Sequence, residues 1–255
     1  MFTTVVCAVG IFAALAATYR GAVMVRSHGR EDDLGIARTS RMAAGMLMIG
    51  LCALLAVEGG VIDADGRSIH QVSWLLIRLS VIGSAVALQS VAVIWSWEDP
   101  KGPANKRLTV AGAAVVGMLA LLLIFPEHLY VLHNAGHPEV ALYLLLYATV
   151  LLSAARDIAW AEMDGARWQK RRGVGFRRRR AGHLLGAAGG VVLGTYGVAT
   201  AVYTVSVLAG ASWYRDDLRA GANFELVAFV VLTMAGLIFK SLGAVAGKRQ
   251  PVATA

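Results

Sequence analysis

Seven long stretches of the chain are almost continuously apolar: 2–19, 42–62, 71–97, 109–125, 140–155, 183–211 and 223–246. About 20 apolar residues in helical form cross the hydrocarbon core of a bilayer, whereas a membrane-spanning strand alternates apolar and polar positions. The pattern predicts an all-α polytopic bundle of seven transmembrane helices. The fourth and fifth stretches are short, and Phe125, Leu129, Tyr130 and Leu132 can carry the fourth into the interface. A single transmembrane domain over 1–249 is expected, followed by a disordered cytoplasmic tail at 250–255.

Polar residues that interrupt these runs are the first candidates for function, because a charged group at membrane depth is costly. At 100° per residue, Gln71, Arg78, Gln89 and Ser96 fall on one face of the third stretch. That stripe must look into the bundle, since lipid cannot satisfy it. Arg78 lies roughly 10 Å below the outer boundary at 1.5 Å per residue. Glu58 and Glu225, near the outer ends of the second and seventh stretches, are its expected partners. Two readings stay open: an ion cluster that fixes helix register, or a binding site for a charged or zwitterionic ligand. Tyr143 and Tyr147 share a face of the fifth helix, and Tyr196, Thr200 and Tyr203 share one of the sixth. Hydroxyls beside a charged cluster suit a small-molecule pocket, and they equally suit interhelical hydrogen bonds.

Composition agrees with the membrane reading: 57% of the 255 residues are apolar and 16% charged, where a soluble domain carries roughly 25% charge. The first stretch has no basic residues before it and no A-x-A-like site followed by soluble chain, so it is expected to be retained. Cys7 and Cys52 sit singly in apolar surroundings and read as packing residues.

Charge then orients the bundle. Of the 24 Lys and Arg, twenty fall in 20–41, 98–108, 156–182 and the C-terminal end, while the opposite side holds only Arg67, Arg215 and Arg219. Lys and Arg concentrate on the cytoplasmic side, which places the N-terminus outside and the C-terminus inside. That arrangement requires an odd number of spans. Trp74 and Trp213 fall at outer ends and Trp95, Trp97 and Trp160 at inner ends, as amphipathic rings prefer. The net charge of +8 is thus a topology signal, and no nucleic-acid partner is expected. Arg167, Lys170, Arg171 and Arg172, then Arg177, Arg178, Arg179 and Arg180, crowd the loop expected at 156–182. They read as a collar for anionic lipid or as a docking site for an acidic cytoplasmic partner.

Gly182, Gly186, Gly190 and Gly194 form a small-residue ridge that permits close helix approach. Packing within the chain is the first reading, and a homodimer through Gly186, Gly190 and Gly194 the second. Lys240 lies close enough to the inner end for snorkelling, and no retinal pocket accompanies it. His70, His128, His133 and His137 are expected on the outer side as loop residues, since their spacing matches no zinc pattern. No cofactor or metal is expected. No nucleophile elbow, Walker loop, H-E-x-x-H or kinase signature occurs, so the reading leans away from an enzyme. No internal repeat is visible, in contrast to inverted-repeat transporters.

Thr18-Tyr19-Arg20 at the exit of the first helix, Pro138 leading into the 142–147 run Leu-Tyr-Leu-Leu-Leu-Tyr, and a basic loop before a glycine-rich helix together carry a resemblance. The chain resembles, over nearly its whole length, a family of bacterial seven-helix membrane proteins described only as transporters. The resemblance implies the seven-helix topology and a transport role; it carries over no catalytic residue. Two functions from different classes follow. One is binding or transport of a small polar or charged solute through an outward-facing pocket formed by Glu58, Arg78, Gln89, Tyr143, Tyr147, Tyr196, Tyr203 and Glu225. The other is a sensor or membrane anchor that holds a cytoplasmic partner through its basic loops.

Overall fold

The computed structural model describes residues 46, 67–95, 103–125, 137–172, 177–210, 225, 227–240 and 242. The first two predicted spans, Met46 aside, and the expected tail lie outside these residues. Four long helices follow one another, α1 (Arg67–Trp95), α2 (Pro103–Ile124), α3 (Pro138–Arg172) and α4 (Arg177–Leu208). A shorter apolar helix, α5 (Val227–Lys240), comes after them. Every described element is helical, and no strand occurs among the described residues.

Local chemistry explains several boundaries. Proline opens both α2 and α3, where its fixed φ suits a helix and its missing N–H is not needed. Glu139 follows in the first turn of α3, where a carboxylate faces the positive end of the helix dipole. Beyond Leu208 the chain turns out of α4 at Gly210, whose φ of 77° is open to a residue without Cβ. Its amide donates to the Val207 carbonyl at 3.0 Å and that of Ala209 to the Val205 carbonyl at 2.9 Å, closing the last turn.

Three of these helices, over Lys106–Ile124, Pro138–Arg171 and Arg177–Leu208, are long and apolar enough to cross a membrane. The bundle is apolar on its exterior as well as in most of its core. Large apolar side chains face outward, among them Leu123 at 71% exposure, Val116, Val191, Val198 and Val205. Ser80, Ser84, Gln89, Ser90, Asp157, His183 and Thr204 are buried. A contiguous apolar exterior on this scale suits lipid and not water.

Helix α3 is the centre of the described bundle. It packs on α1, α2 and, most extensively, α4, with Tyr143, Tyr147 and Leu151 fully buried against Ile77, Ile82 and Leu193. The glycines of α4 make that packing close. A Cβ on Gly190 would stand 2.9 Å from the Ala159 nitrogen, and one on Gly186 2.8 Å from the Glu162 carboxyl carbon. On the other flank Gly182 faces Gly236 of α5, and a Cβ on either would meet the other's carbonyl oxygen within 2.8 Å. The ridge is therefore used inside one chain, between α3 and α5, which is the first of the two readings given above.

The main departure from the apolar pattern is the length of α3. The fifth stretch ended at 155, yet the helix continues to Arg172, so most of the expected 156–182 loop is helical. Residues 156–172 are rich in good helix formers (Ala, Glu, Gln, Met, Lys and Arg). They also keep a buried stripe through Ile158, Ala161 and Ala166. A test for unbroken apolarity stops where an amphipathic helix begins. For the same reason α2 starts at Pro103, ahead of the apolar run at 109.

Candidate functional site

Two kinds of polar cluster occupy the bundle. At the basic end, where α3 leads into α4, polar side chains are bonded across helices, while Gln89 Oε1 and Gln169 Oε1 are buried there with no partner among the described residues. Asp157 of α3 accepts from the Nε and Nη2 of Arg107 on α2 at 2.8 and 2.5 Å. Its second oxygen accepts from Gln89 Nε2 of α1 at 2.8 Å. Gln89 also donates to Ser153 at 2.9 Å, and Ser153 donates to the Arg107 carbonyl at 3.3 Å. One carboxylate thus ties three helices, with the two-donor arginine geometry that strengthens such a pair.

One turn further along α3, Glu162 repeats the arrangement with α4 and α5. Its Oε2 lies 2.7 Å from His183 Nδ1, and its Oε1 accepts from Lys240 Nζ at 2.5 Å. Gly182, Gly186 and Gly236 permit the three backbones to come close enough for these bonds. Lys240 is bound inward to a carboxylate, in place of the snorkelling that its position near a helix end had implied.

The second kind of cluster is unsatisfied. Tyr143 and Tyr147 on α3 are buried and lie within electrostatic range of the Arg78 guanidinium on α1. Tyr196 of α4 sets its ring edge-on to Tyr147, with centroids 6.1 Å apart and planes at 87°, a favourable aromatic geometry. Yet Arg78 Nη1 and both tyrosine hydroxyls are buried with no partner at full hydrogen-bonding geometry among the described residues, although the Tyr196 hydroxyl is near enough to Tyr147 to interact with it. Glu225 stands beside Thr195 of α4, with its Oε2 also buried and unpartnered. No ion pair joins it to Arg78 among the described residues.

The structure brings Arg78, Tyr143, Tyr147 and Tyr196 into one region of the bundle. Gln89 belongs to the other cluster: it lies eleven residues, or about 16 Å, along α1 from Arg78 and is held by Asp157. Tyr203 packs, partly buried, against the apolar core. Glu58 lies outside the described residues. His137 sits 3.6 Å from Glu139. Of the basic residues, Arg167, Lys170, Arg171, Arg177, Arg178 and Arg180 are exposed, Arg179 is half-buried, and Arg172 closes α3.

Arg107, Asp157, Glu162, His183 and Lys240 were not read as a site from the sequence. The available signal was the 3.6-residue spacing of Leu151, Ala154, Ile158 and Ala161, which runs past the end of the apolar stretch and frames both carboxylates. Among the described residues no group of three metal-ligating side chains occurs. Comparison with family models, curated proteins and solved structures returned no match. Function must accordingly be argued from the site itself.

Proposed function

We propose that this chain is a multi-pass protein of the cell membrane whose seven helices place the basic end in the cytoplasm. It binds or transports a small polar or charged solute reached from the opposite side. One observation carries the reading: Arg78 Nη1 and the hydroxyls of Tyr143 and Tyr147, which lie within electrostatic range of the guanidinium, are buried and without a partner among the described residues. Buried polar groups are nearly always hydrogen-bonded, so a group left open asks for a ligand or water. Two hydroxyl donors beside a guanidinium favour an anionic or carboxylate-bearing solute.

The test is a thermal-shift panel of amino acids and short carboxylates on the detergent-purified protein, followed by liposome uptake of any hit. A hit that stabilises the wild type should lose its effect in Arg78→Met. A shift retained by that variant would remove Arg78 from the site and the proposal with it. Reporter fusions should place 167–180 inside the cell; a periplasmic or extracellular signal there overturns the orientation. The exposed arginines of α3 and α4 favour a second reading, a sensor or anchor. It predicts instead that a cytoplasmic protein is retained by the wild type and released when Arg177–Arg180 are neutralised.

A further inference from the structure

The part of α3 that the apolar pattern missed carries an exposed face with its own order. At 100° per residue, Leu142, Leu152, Arg156, Trp160, Met163, Arg167 and Arg171 fall within roughly 100° of one another, and all seven are exposed. Read along the helix, this one face is apolar at Leu142 and Leu152, and arginine and tryptophan from Arg156 onward. Trp160 is 69% exposed and sits between Arg156 and Arg167. Those two arginines are separated by eleven residues, or roughly 16 Å along the axis. Of the three carboxylates between 156 and 172, Asp157 and Glu162 are engaged inside the bundle and Asp164 alone is exposed.

The start of α4 adds charge of the same sign. Arg177, Arg178 and Arg180 are exposed there, and no acidic residue shares that first turn. Four consecutive arginines repel one another, and exposed cations in this number attract negative charge.

We propose that the α3 face running through Arg156, Trp160, Arg167 and Arg171 binds the headgroup phosphates of anionic phospholipids. Charge complementarity selects an anion, and continuity selects a lipid. The basic stretch prolongs the same face that presents Leu142 and Leu152 to the hydrocarbon, with an indole at the junction, where amphipathic rings settle. Arg156 reaches outward along its own apolar stem to the phosphate level, while Arg167 and Arg171 meet headgroups directly. The inference rests on the membrane reading but not on the solute site.

The experiment uses the full chain, purified in detergent and in nanodiscs. Binding of phosphatidylglycerol and of phosphatidylcholine is read by native mass spectrometry and by shift of the unfolding temperature. Wild type should prefer phosphatidylglycerol, and the preference should fade as salt rises. The triple variant Arg156→Gln, Arg167→Gln, Arg171→Gln should bind phosphatidylglycerol about 100-fold more weakly, about fivefold for each basic side chain lost from an anionic surface. Its phosphatidylcholine binding should be unchanged. Trp160→Ala should weaken both lipids by a smaller, similar factor. Equal phosphatidylglycerol binding by wild type and triple variant overturns the proposal. So does full competition by inorganic phosphate, which would make free phosphate the ligand. A polyglutamate peptide or RNA that binds in neutral nanodiscs where phosphatidylglycerol adds nothing would assign the face to a soluble partner and overturn it too. Should the triple variant not fold, wild type alone decides, because a phosphatidylglycerol preference that survives high salt is not this site. A chain that refuses to enter nanodiscs at all would sink the membrane reading, a failure distinct from each of these.

Discussion

The two polar regions of the bundle are built from different residues, carboxylates and their partners at one end and an arginine among tyrosines at the other, and they are finished differently. At the basic end each carboxylate meets polar side chains from two other helices: Asp157 with Arg107 and Gln89, Glu162 with His183 and Lys240. Around Arg78 an arginine and two tyrosines are buried with polar atoms that bond to nothing among the described residues. The first arrangement holds helices together. The second leaves hydrogen-bonding groups open among the described residues, and on the proposed reading a ligand completes them. Stability and ligand response should therefore separate along the length of α3.

The largest effect is expected at Glu162. Glu162→Ala strands Lys240 and His183 inside the bundle, and removing one partner of a buried ion pair costs about 3–5 kcal/mol. Thermal unfolding of the detergent-solubilised protein should show a large fall in midpoint. The double variant Glu162→Gln, Lys240→Gln should recover much of that loss, because no lone charge remains. Wild-type stability in Glu162→Ala would mean that the three-helix tie is not made, and the contrast between the two ends would collapse.

A smaller effect, specific to backbone approach, should come from the glycines of α4. Gly190→Ala sets a methyl 2.9 Å from the backbone nitrogen of Ala159, an atom that cannot swing aside, and overpacking of this kind costs about 1–3 kcal/mol. Gly194→Ala meets the Ala155 Cβ at 3.4 Å, an ordinary contact. It should be neutral or gain up to about 1 kcal/mol from the better helix propensity of alanine. Denaturation midpoints of the two variants, measured side by side, decide whether α3 and α4 meet where the ridge places them. Equal behaviour would mean that they do not.

What the sequence revealed of these regions follows from how each is marked. Arg78, Tyr143 and Tyr147 stood out because they interrupt apolar runs, and the helical period put each on a nameable face. Their meeting across α1 and α3 needed only that both faces look inward. Asp157 and Glu162 lie past the point where continuous apolarity ends, among arginines that suggested a loop, so nothing set them apart. Lys240 looked free to snorkel because its partner is 78 residues away, and no local pattern encodes how α3, α4 and α5 are rotated against one another. Gln89 shows the same limit in reverse. It shares a helix face with Arg78, but α3 offers Asp157 at its depth and the tyrosines at the other.

The smallest stability effect should be the most telling for function. Tyr143→Phe and Tyr147→Phe each delete a buried hydroxyl that has no partner among the described residues. A buried hydroxyl engaged in a typical hydrogen bond contributes about 1 kcal/mol, and one without a partner has already incurred its desolvation cost. Removing it from the unliganded protein should therefore shift stability by less than about 0.5 kcal/mol, or raise it slightly. The ligand experiment should read the opposite way: a solute that stabilises wild type should stabilise the double variant far less, since two of its donors are gone. A clear loss of unliganded stability would show that the hydroxyls bond within the bundle, making this region a second structural tie like the one at Glu162. Unchanged stability with an undiminished ligand shift would place the solute elsewhere. Only the combination of quiet stability and lost response keeps the two ends of α3 distinct.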